Sequence, residues 1–146
     1  MRLVGIDYGL RRVGLAVTDP LQLIATPLKT VATTAALEEL KHYVAQEPVA
    51  GLVLGWPLDL SGRQGPMTRL VAQYTRLLQR HLPGMPLFHY DERLTSVSAQ
   101  KSLWWSTPKR SKRRDKSRLD ALSASIMLNA FLYPYKAGRV SPCSAL

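Results

Sequence analysis

Three acidic residues stand beside apolar runs in this chain, and their types and positions suit them best to chemistry. Asp7 follows the first apolar run, Glu92 follows a run that ends at Tyr90, and Asp120 lies in a late helical pattern. A carboxylate at the edge of a core is costly to desolvate unless it is paired or binds a cation. Because Lys and Arg number 20 against 10 Asp and Glu, converging acids here predict a metal site that acts on a polyanion. The pattern favours a metal-dependent nuclease.

Asp7 and Glu92 each have a structural alternative to a role in chemistry. Gly5 and Gly9 keep the backbone around Asp7 free of side chains, so that a phosphate or a metal can approach; Asp7 could instead begin a tight turn. Neighbouring strand residues face opposite sides, so only one acid of Asp91-Glu92 can share a face with a third group. Glu92 has the longer reach. Arg93 could orient a carboxylate or bind a phosphate bidentately, or the segment could form a surface ion pair.

Asp120 lies near the start of a predicted final helix, beside its packing face. The alternative role for Asp120 is that of a first-turn acid that the helix dipole favours. The predicted packing face consists of Leu119, Leu122, Ile126 and Met127, and Asp120 shares the adjoining stripe with Ala124, Met127 and Phe131.

A basic run directly precedes this acid. The segment 109–118 holds seven cations, and such a run is commonly a solvated, mobile segment. Because it leads into Asp120, it could instead guide a phosphate backbone into the site. The loop 56–65 carries Arg63, which suits phosphate contact, and Asp59, for which a turn is the favoured interpretation.

The composition predicts one soluble globular domain with nucleic acid as its partner. The 146 residues fit a single core, and the formal net charge is +10. One cysteine, Cys143, excludes an internal disulfide. No apolar run approaches the roughly 20 residues of a membrane helix. The N-terminus carries Arg2 and then Asp7, which is not the pattern of a signal peptide, so we expect a cytoplasmic location.

The hydrophobic pattern predicts the element order β-β-β-α-β-α-β-α-α. The first three strands form an antiparallel meander, with the third at an edge because it contains Pro27. Thr33 or Thr34 is expected to cap the first helix. The final helix is expected over 118–133, with Pro134 closing it. We therefore predict an α/β domain over 1–135, in which helices flank a mixed five-stranded sheet, and a flexible tail over 136–146.

Four motifs in order resemble the YqgF (RuvX) family over about residues 1–135. They are Gly5-Ile6-Asp7-Tyr8-Gly9 with the following run from Arg12 to Pro20, Gly55-Trp56-Pro57-Leu58-Asp59-Leu60-Ser61-Gly62, Asp91-Glu92-Arg93-Leu94-Thr95-Ser96, and Leu119-Asp120-Ala121-Leu122-Ser123-Ala124. The family is RNase H-like and related to Holliday junction resolvases. Its members are described as nucleases that process the 5′ end of the 16S ribosomal RNA precursor, and some are proposed to resolve DNA junctions.

The resemblance implies metal-assisted phosphodiester hydrolysis. Asp7, Glu92 and Asp120 would be the catalytic acids and the ligands of one or two Mg²⁺ or Mn²⁺ ions. Nucleic acid, either precursor rRNA or branched DNA, would be the partner. The cations expected to contact it are Arg11, Arg12, Arg63, Arg93, Lys109, Arg110, Lys112, Arg113, Arg114 and Lys116.

Three other functions stay open at this stage. A resolvase of four-way DNA would cut two strands symmetrically, and we would then expect a two-fold homodimer. A ribosome-assembly or transcription factor would bind RNA through the basic run without cutting it. A nucleotide phosphotransferase like the actin-like ATPases would need a second RNase H-like domain, for which 146 residues leave no room.

Overall fold

The computed structural model describes residues 1–94 and 112–144, and for residues 112–118 it describes the backbone. In the described part of the chain, five strands form one mixed sheet and three α-helices cover its two faces, as predicted. The predicted helix between Thr95 and Trp105 lies outside the described residues. The strands are β1 (Arg2–Tyr8), β2 (Arg12–Thr18), β3 (Ala25–Ala32), β4 (Val49–Trp56) and β5 (Leu87–Asp91), and the helices are α1 (Ala36–Gln46), α2 (Pro66–His81) and α3 (Lys112–Lys136).

The sheet order is β3-β2-β1-β4-β5, which places β1 at the centre. The first three strands form the predicted antiparallel meander, in which Asp7 of β1 lies opposite Gly14 of β2. β4 and β5 join the sheet parallel to β1. The carboxyl ends of β1, β4 and β5 therefore meet at one end of the sheet, where open α/β sheets bind their ligands. We call this the site end.

β3 occupies an edge of the sheet, as Pro27 predicted. Proline has no N–H to donate to a further strand, so an edge position suits it. The pairing with β2 shifts register between Leu15 and Ala16, opposite the segment that contains Pro27. The bulge lets the edge strand accommodate the proline without interrupting the rest of the ladder.

Each face of the sheet has its own apolar cluster. The face under α1 and α2, the α1/α2 side, is lined by alternate residues of β1, β2 and β4, which include Ile6, Leu15 and Leu54. The opposite face, the α3 side, packs Leu3, Val53 and Phe88 against α3. Residues two apart in a strand share a face, so this division fixes the side on which each strand-end residue lies.

The packing face of α3 differs from the predicted one. Leu119 and Met127 are buried as predicted, but Leu122 is exposed on the surface, and the buried stripe extends instead through Ala124 and Phe131. Apolar residues occur around most of this helix, so periodicity alone could not identify the stripe that faces the sheet. The correction puts Asp120 on the same stripe as the buried residues rather than beside it.

The predicted helix boundaries were wrong at three positions, the start of α1 and both ends of α3. The Thr33 hydroxyl donates to the Gly9 carbonyl oxygen at 2.7 Å instead of capping α1, which begins after a 3-10 turn over Thr33–Ala35. α3 continues through Pro134 to Lys136. A proline near the last turn removes one hydrogen bond, and the Ala137 N–H still reaches the Tyr133 carbonyl at 3.0 Å. The basic residues 112–117 lie in the first turns of α3 rather than before it.

The segment after α3 returns to the sheet along β5. The Cys143 N–H donates to the Leu87 carbonyl at 2.6 Å, and the Gln79 amide donates to the Ser144 carbonyl at 3.0 Å. Val140 and Cys143 pack against the two apolar clusters. The part of the predicted tail that the structure describes is therefore in contact with the domain.

Within the described residues, none of the helices is both long and apolar enough to span a membrane.

Candidate active site

Asp7 lies near the carboxyl end of the central strand and points to the α3 side. Only 7% of its surface is exposed. The side is set by Gly5, two residues earlier, which lies directly beneath α3: a Cβ atom at Gly5 would be 3.1 Å from the Ala124 carbonyl oxygen. Asp7 therefore lies at the site end of β1, as the sequence predicted. The free space that was predicted beside Gly5 is filled by α3.

Glu92 reaches the same face from the neighbouring part of the sheet. It begins a 3-10 turn directly after β5, and its side chain lies over Gly55 of β4, where an added Cβ atom would collide with the carboxylate and lie 3.0 Å from Cδ. Gly55 follows Leu54, which pairs with Ile6, the residue before Asp7. The Glu92 carboxylate and Asp7 thus occupy adjacent strand positions on the α3 side.

Asp120 is brought to the other flank of Asp7 by α3. The Asp120 backbone carbonyl lies against Gly14, so closely that no Cβ atom would fit there, and Gly14 is the residue of β2 that pairs with Asp7. The Asp120 carboxylate accepts a hydrogen bond from Arg12 Nε at 2.9 Å. Asp7 is therefore flanked on both sides. Glu92 lies over Gly55 on one neighbouring strand, and Asp120 lies over Gly14 on the other.

The three acids share one face and one end of the sheet, but they do not form a preformed cluster. Across residues 1–94 and 112–144, no group of three His, Cys, Asp or Glu side chains could hold a metal ion. The Asp120 carboxylate is directed to Arg12 instead. The donor set is chemically suited to a hard divalent cation, because all three side chains offer carboxylate oxygens and such an ion needs only a few of them.

Asp91 lies on the opposite side from Glu92, as strand alternation predicted. It pairs in register with Trp56, which packs against the α1/α2 cluster. The Arg93 guanidinium holds its carboxylate with Nη2–Oδ2 at 2.7 Å and Nε within 3.1 Å of both oxygens. These hydrogen bonds lower the pKa of the Asp91 carboxyl below its ordinary 3.8. The structure contains the ion pair that was considered for Arg93, and contact of Arg93 with a phosphate stays a prediction.

The loop from β4 to α2 is organised by Asp59, which begins the turn that the sequence favoured. Its Oδ1 accepts hydrogen bonds from Ser61 N at 2.9 Å, Ser61 Oγ at 2.6 Å and Arg63 N at 2.8 Å. Gly62 has φ +85° and lies beside the Arg93 guanidinium. Arg93 therefore contacts both the end of β5 and this loop, and the loop is held at the site end.

The candidate phosphate contacts fall in different parts of the molecule. Arg11 and Arg63 are exposed in the loops at the site end, and Arg12 is half-exposed beside Asp120. Lys112, Arg113, Arg114 and Lys116 belong to the first turns of α3, which lead directly to Asp120. Lys109 and Arg110 lie outside the described residues.

Sequence reasoning missed the two glycines that allow Asp120 and Glu92 to lie close to the sheet. Gly14 and Gly55 are the contact points of Asp120 and Glu92, and both stand in otherwise apolar strands. A glycine inside a strand often marks close approach of another segment, so this signal was available. The pairing of Arg12 with Asp120 had no local signal, because 108 positions separate the two residues.

Comparison with known proteins agrees with this architecture. A family described as RuvX, Holliday junction resolvase, matches residues 1–133. A protein of Amoebophilus asiaticus, named "Putative pre-16S rRNA nuclease", is 47% identical over 135 residues, which are 92% of this chain and 96% of the relative. A protein of the same name from Porphyromonas gingivalis is 39% identical over 131 residues, 90% of this chain and 95% of the relative.

Solved structures share the fold at low sequence identity. T. thermophilus RuvC in complex with a Holliday junction substrate has a TM-score of 0.59 at 16% identity, covering 98% of this chain and 99% of that one. A second Thermus thermophilus RuvC structure has a TM-score of 0.56 at 17% identity, with 98% and 100% covered. The fold is therefore that of the RNase H-like resolvases, and the matches along the sequence establish that this chain belongs to the RuvX family.

Proposed function

We propose that this chain is a divalent-metal-dependent nuclease that hydrolyses phosphodiester bonds in the precursor of 16S rRNA, in the cytoplasm. The observation that carries the proposal is the placement of Asp7 between two glycines of neighbouring strands, one beneath Glu92 and the other beneath Asp120. The names of the relatives supply the substrate.

The carboxylates of Asp7 and Glu92, with Asp120, would hold Mg²⁺ or Mn²⁺. When bound, such a cation would lower the pKa of the attacking water and neutralise the charge that develops at the leaving 3′ oxygen. Because Gly14 and Gly55 have no side chains, the Asp120 backbone and the Glu92 carboxylate can lie directly against the two strands that flank Asp7. The low exposure of Asp7 keeps its carboxylate out of bulk water, where its interactions would be weaker.

Arg12 gives the site a cation that can exchange partners. Its guanidinium binds the Asp120 carboxylate at 2.9 Å while 38% of its side chain is exposed. A substrate phosphate offers the same pair of acceptor oxygens as a carboxylate. Transfer of Arg12 to the phosphate would release Asp120 toward Asp7, which would complete the set of three acids when substrate is present.

Nucleic-acid cleavage by the Asp7→Asn variant, measured beside the wild type, tests whether the acids act in this way. The exchange keeps the shape of the side chain and removes its charge, so we expect at least a 100-fold loss of cleavage with little change in folding. The substrates are a labelled precursor fragment spanning the 5′ end of 16S rRNA and a four-way DNA junction, each with Mg²⁺, Mn²⁺ or EDTA. The matched control is Glu38→Gln, which removes one carboxylate from α1, where that side chain is 77% exposed.

Two outcomes would contradict the proposal. Equal cleavage by Asp7→Asn and the wild type would exclude the three acids as the catalytic group. Salt-sensitive binding of the RNA without cleavage by either protein would identify an RNA-binding assembly factor instead.

A Holliday junction resolvase is the second candidate, favoured by the description of the matching family. A resolvase cuts two strands related by two-fold symmetry, so it acts as a homodimer. Cleavage of the four-way junction but not of the RNA, together with a dimeric mass in sedimentation, would select this function. Cleavage of the RNA by a monomer would exclude it.

A further inference from the structure

The exposed face of α2 carries cations in a regular stripe. Arg69, Gln73, Arg76 and Arg80 follow one another at intervals of four, three and four residues, which keeps them on one side of a helix, and all four are exposed. The opposite side is buried through Val71, Tyr74, Thr75 and Leu78. We call the exposed set the α2 stripe.

Among the side chains that the structure describes, no acidic residue pairs with this stripe. α2 contains no Asp or Glu from Pro66 to His81, and the described residues include no ion pair with Arg69, Arg76 or Arg80. By contrast, the cations of α1 and β3 are paired, Lys41 with Glu38 and Lys29 with Glu39. Unpaired guanidinium groups in a row repel one another, so the arrangement suits a partner that supplies a row of negative charges.

We infer that the α2 stripe binds the phosphate backbone of the substrate at a distance from the cleaved bond, an inference that rests on the proposed nuclease function. Arg69 and Arg80 are 11 residues apart, which corresponds to a rise of about 17 Å along the helix axis. This length is enough to contact several successive phosphates of a nucleic-acid strand. Gln73, between the arginines, can donate to a phosphate or a sugar hydroxyl.

The path from the site to the stripe passes over the site end of the sheet. Asp7 and Glu92 face the α3 side, whereas α2 covers the other face. The loop before α2 connects the two faces at the site end and carries the exposed Arg63. A strand bound at the site therefore reaches Arg63 first, then Arg69, and last Arg80. A substrate too short to turn over this end would contact the site and not the stripe.

A partner of another kind fits less well. An anionic membrane surface also attracts a basic helix, but helices that bind membranes insert an apolar face, and the apolar face of α2 is buried in the core. The α2 stripe could therefore offer a membrane only its charges. Nucleic acid needs nothing more, because contacts with phosphates supply most of its non-specific affinity.

The test compares two triple variants that each remove three positive charges. Arg69→Gln, Arg76→Gln and Arg80→Gln remove the stripe; Lys41→Gln, Lys136→Gln and Arg139→Gln are the matched control elsewhere on the surface. Binding of single-stranded RNA of about 30 nucleotides is measured in EDTA against salt concentration. Each lost phosphate contact lowers the slope of log K against log salt by about 0.7 for single strands. We expect a decrease of about 2 for the stripe variant and almost none for the control.

Cleavage with Mg²⁺ supplies the second readout. The stripe variant should lose at least about 10-fold in kcat/KM on the long RNA and should cleave a hexanucleotide as the wild type does. The inference would be overturned if the stripe and control variants gave equal salt slopes, or if the wild type did not bind RNA in EDTA. The nuclease function would then be tested by the cleavage measurement alone. Stripe-dependent binding without cleavage by the wild type would overturn the nuclease function alone.

Two further outcomes are checked alongside. The first is binding of the wild type to vesicles of phosphatidylserine and phosphatidylcholine. If the stripe variant lost this binding while its RNA binding was unchanged, the stripe would be assigned to a membrane and the inference would be overturned. If the triple variant fails to fold, Arg76→Gln alone replaces it. The salt slope should then decrease by about 0.7, and an unchanged slope overturns the inference.

Discussion

The two glycines beside Asp7 leave space for the site acids, yet they should respond differently to an added methyl group. At Gly55 the new Cβ would meet the Glu92 carboxyl group, the far end of a flexible side chain. Gly55→Ala should therefore leave the fold intact and displace the carboxylate. Because a misplacement of about 1 Å can cost roughly 100-fold in rate, we expect a loss of that order in RNA cleavage, with a thermal midpoint close to that of the wild type.

Gly14→Ala is the natural comparison, because its new Cβ would meet backbone. It would collide with the Asp120 carbonyl and lie 2.7 Å from the Ala121 nitrogen, so α3 itself would have to move. Forcing atoms into a packed interior costs about 1–3 kcal/mol, and both the stability and the rate should decrease. If Gly55→Ala cleaved RNA at the wild-type rate, the position of the Glu92 carboxylate would not matter to the reaction.

At the scale of single residues, the sequence could predict what depends on neighbours along the chain. Strand alternation separated Glu92 from Asp91, and the favoured interpretation of Asp59 was a turn, which the hydrogen bonds of its carboxylate confirm. The position of the Asp120 carboxylate was beyond reach, because Arg12, which binds it, comes from a strand at the other end of the chain. Such a contact depends on how α3 lies across the sheet.

At the scale of elements, hydrophobic periodicity identified all five strands and the three helices that the structure describes. The wrong boundaries at the start of α1 and the end of α3 share one cause, competition from tertiary contacts. Thr33 has the right type for a helix cap, but its hydroxyl binds the Gly9 carbonyl, which would otherwise lack this partner. Pro134 has the right type for a helix end, but the buried Phe131 and Leu132 anchor α3 beside it, and one missing hydrogen bond costs less than that packing.

The segment 139–144 acts as a cover for the outer edge of β5. The Pro86 carbonyl accepts from Leu52 on the β4 side, so the next carbonyl, that of Leu87, points outward, and the Cys143 N–H binds it. A stop after Gly138 removes this bond, the Gln79 contact and the packing of Val140. We expect the free energy of unfolding in urea to decrease by about 1–3 kcal/mol.

Cleavage should survive this truncation, because the segment contacts β5 away from Asp7 and lies beyond the residues 1–133 that the family shares. The truncated protein should also associate at high concentration, because its β5 edge is uncovered. A truncated chain with the stability of the wild type would mean that the segment is loose in solution. Replacing residues 139–144 with Gly and Ser of the same length is the control for chain length.

At the scale of the whole molecule, the candidate catalytic acids and the unpaired arginines of α2 lie on opposite faces of the sheet. The three acids lie on the α3 side at the site end, whereas the unpaired arginines of α2 lie on the other face, in a chain with a net charge of +10. Composition alone predicted a polyanion as partner. It could not predict the division between faces, because that depends on the burial of α2 through one stripe and on the crossing of α3 over Gly14.

Acid should destabilise the fold in two separate pH ranges, of which the first belongs to His89. Burial lowers the pKa of His89 below its ordinary 6.5. The ring stacks on Trp56, and its Nε2 shares a hydrogen bond with the Thr75 hydroxyl at 2.8 Å. The folded chain thus binds this proton less readily than the unfolded chain. Stability should be constant above pH 6.5 and decrease as the pH falls through 6.5 toward the folded pKa. Urea unfolding between pH 8 and 5 measures this change.

The second range lies below pH 4 and belongs to aspartates in turns. The pKa of each is lowered below 3.8, for Asp91 by Arg93, for Asp59 by the Ser61 hydroxyl and for Asp19 by the Ile24 N–H. Their contribution is present above the unfolded pKa and is lost as the pH falls through the folded values. His89→Gln should abolish the first decrease and keep the second, and Asp91→Asn should weaken the second alone. A first decrease that persists in His89→Gln would assign it to another group.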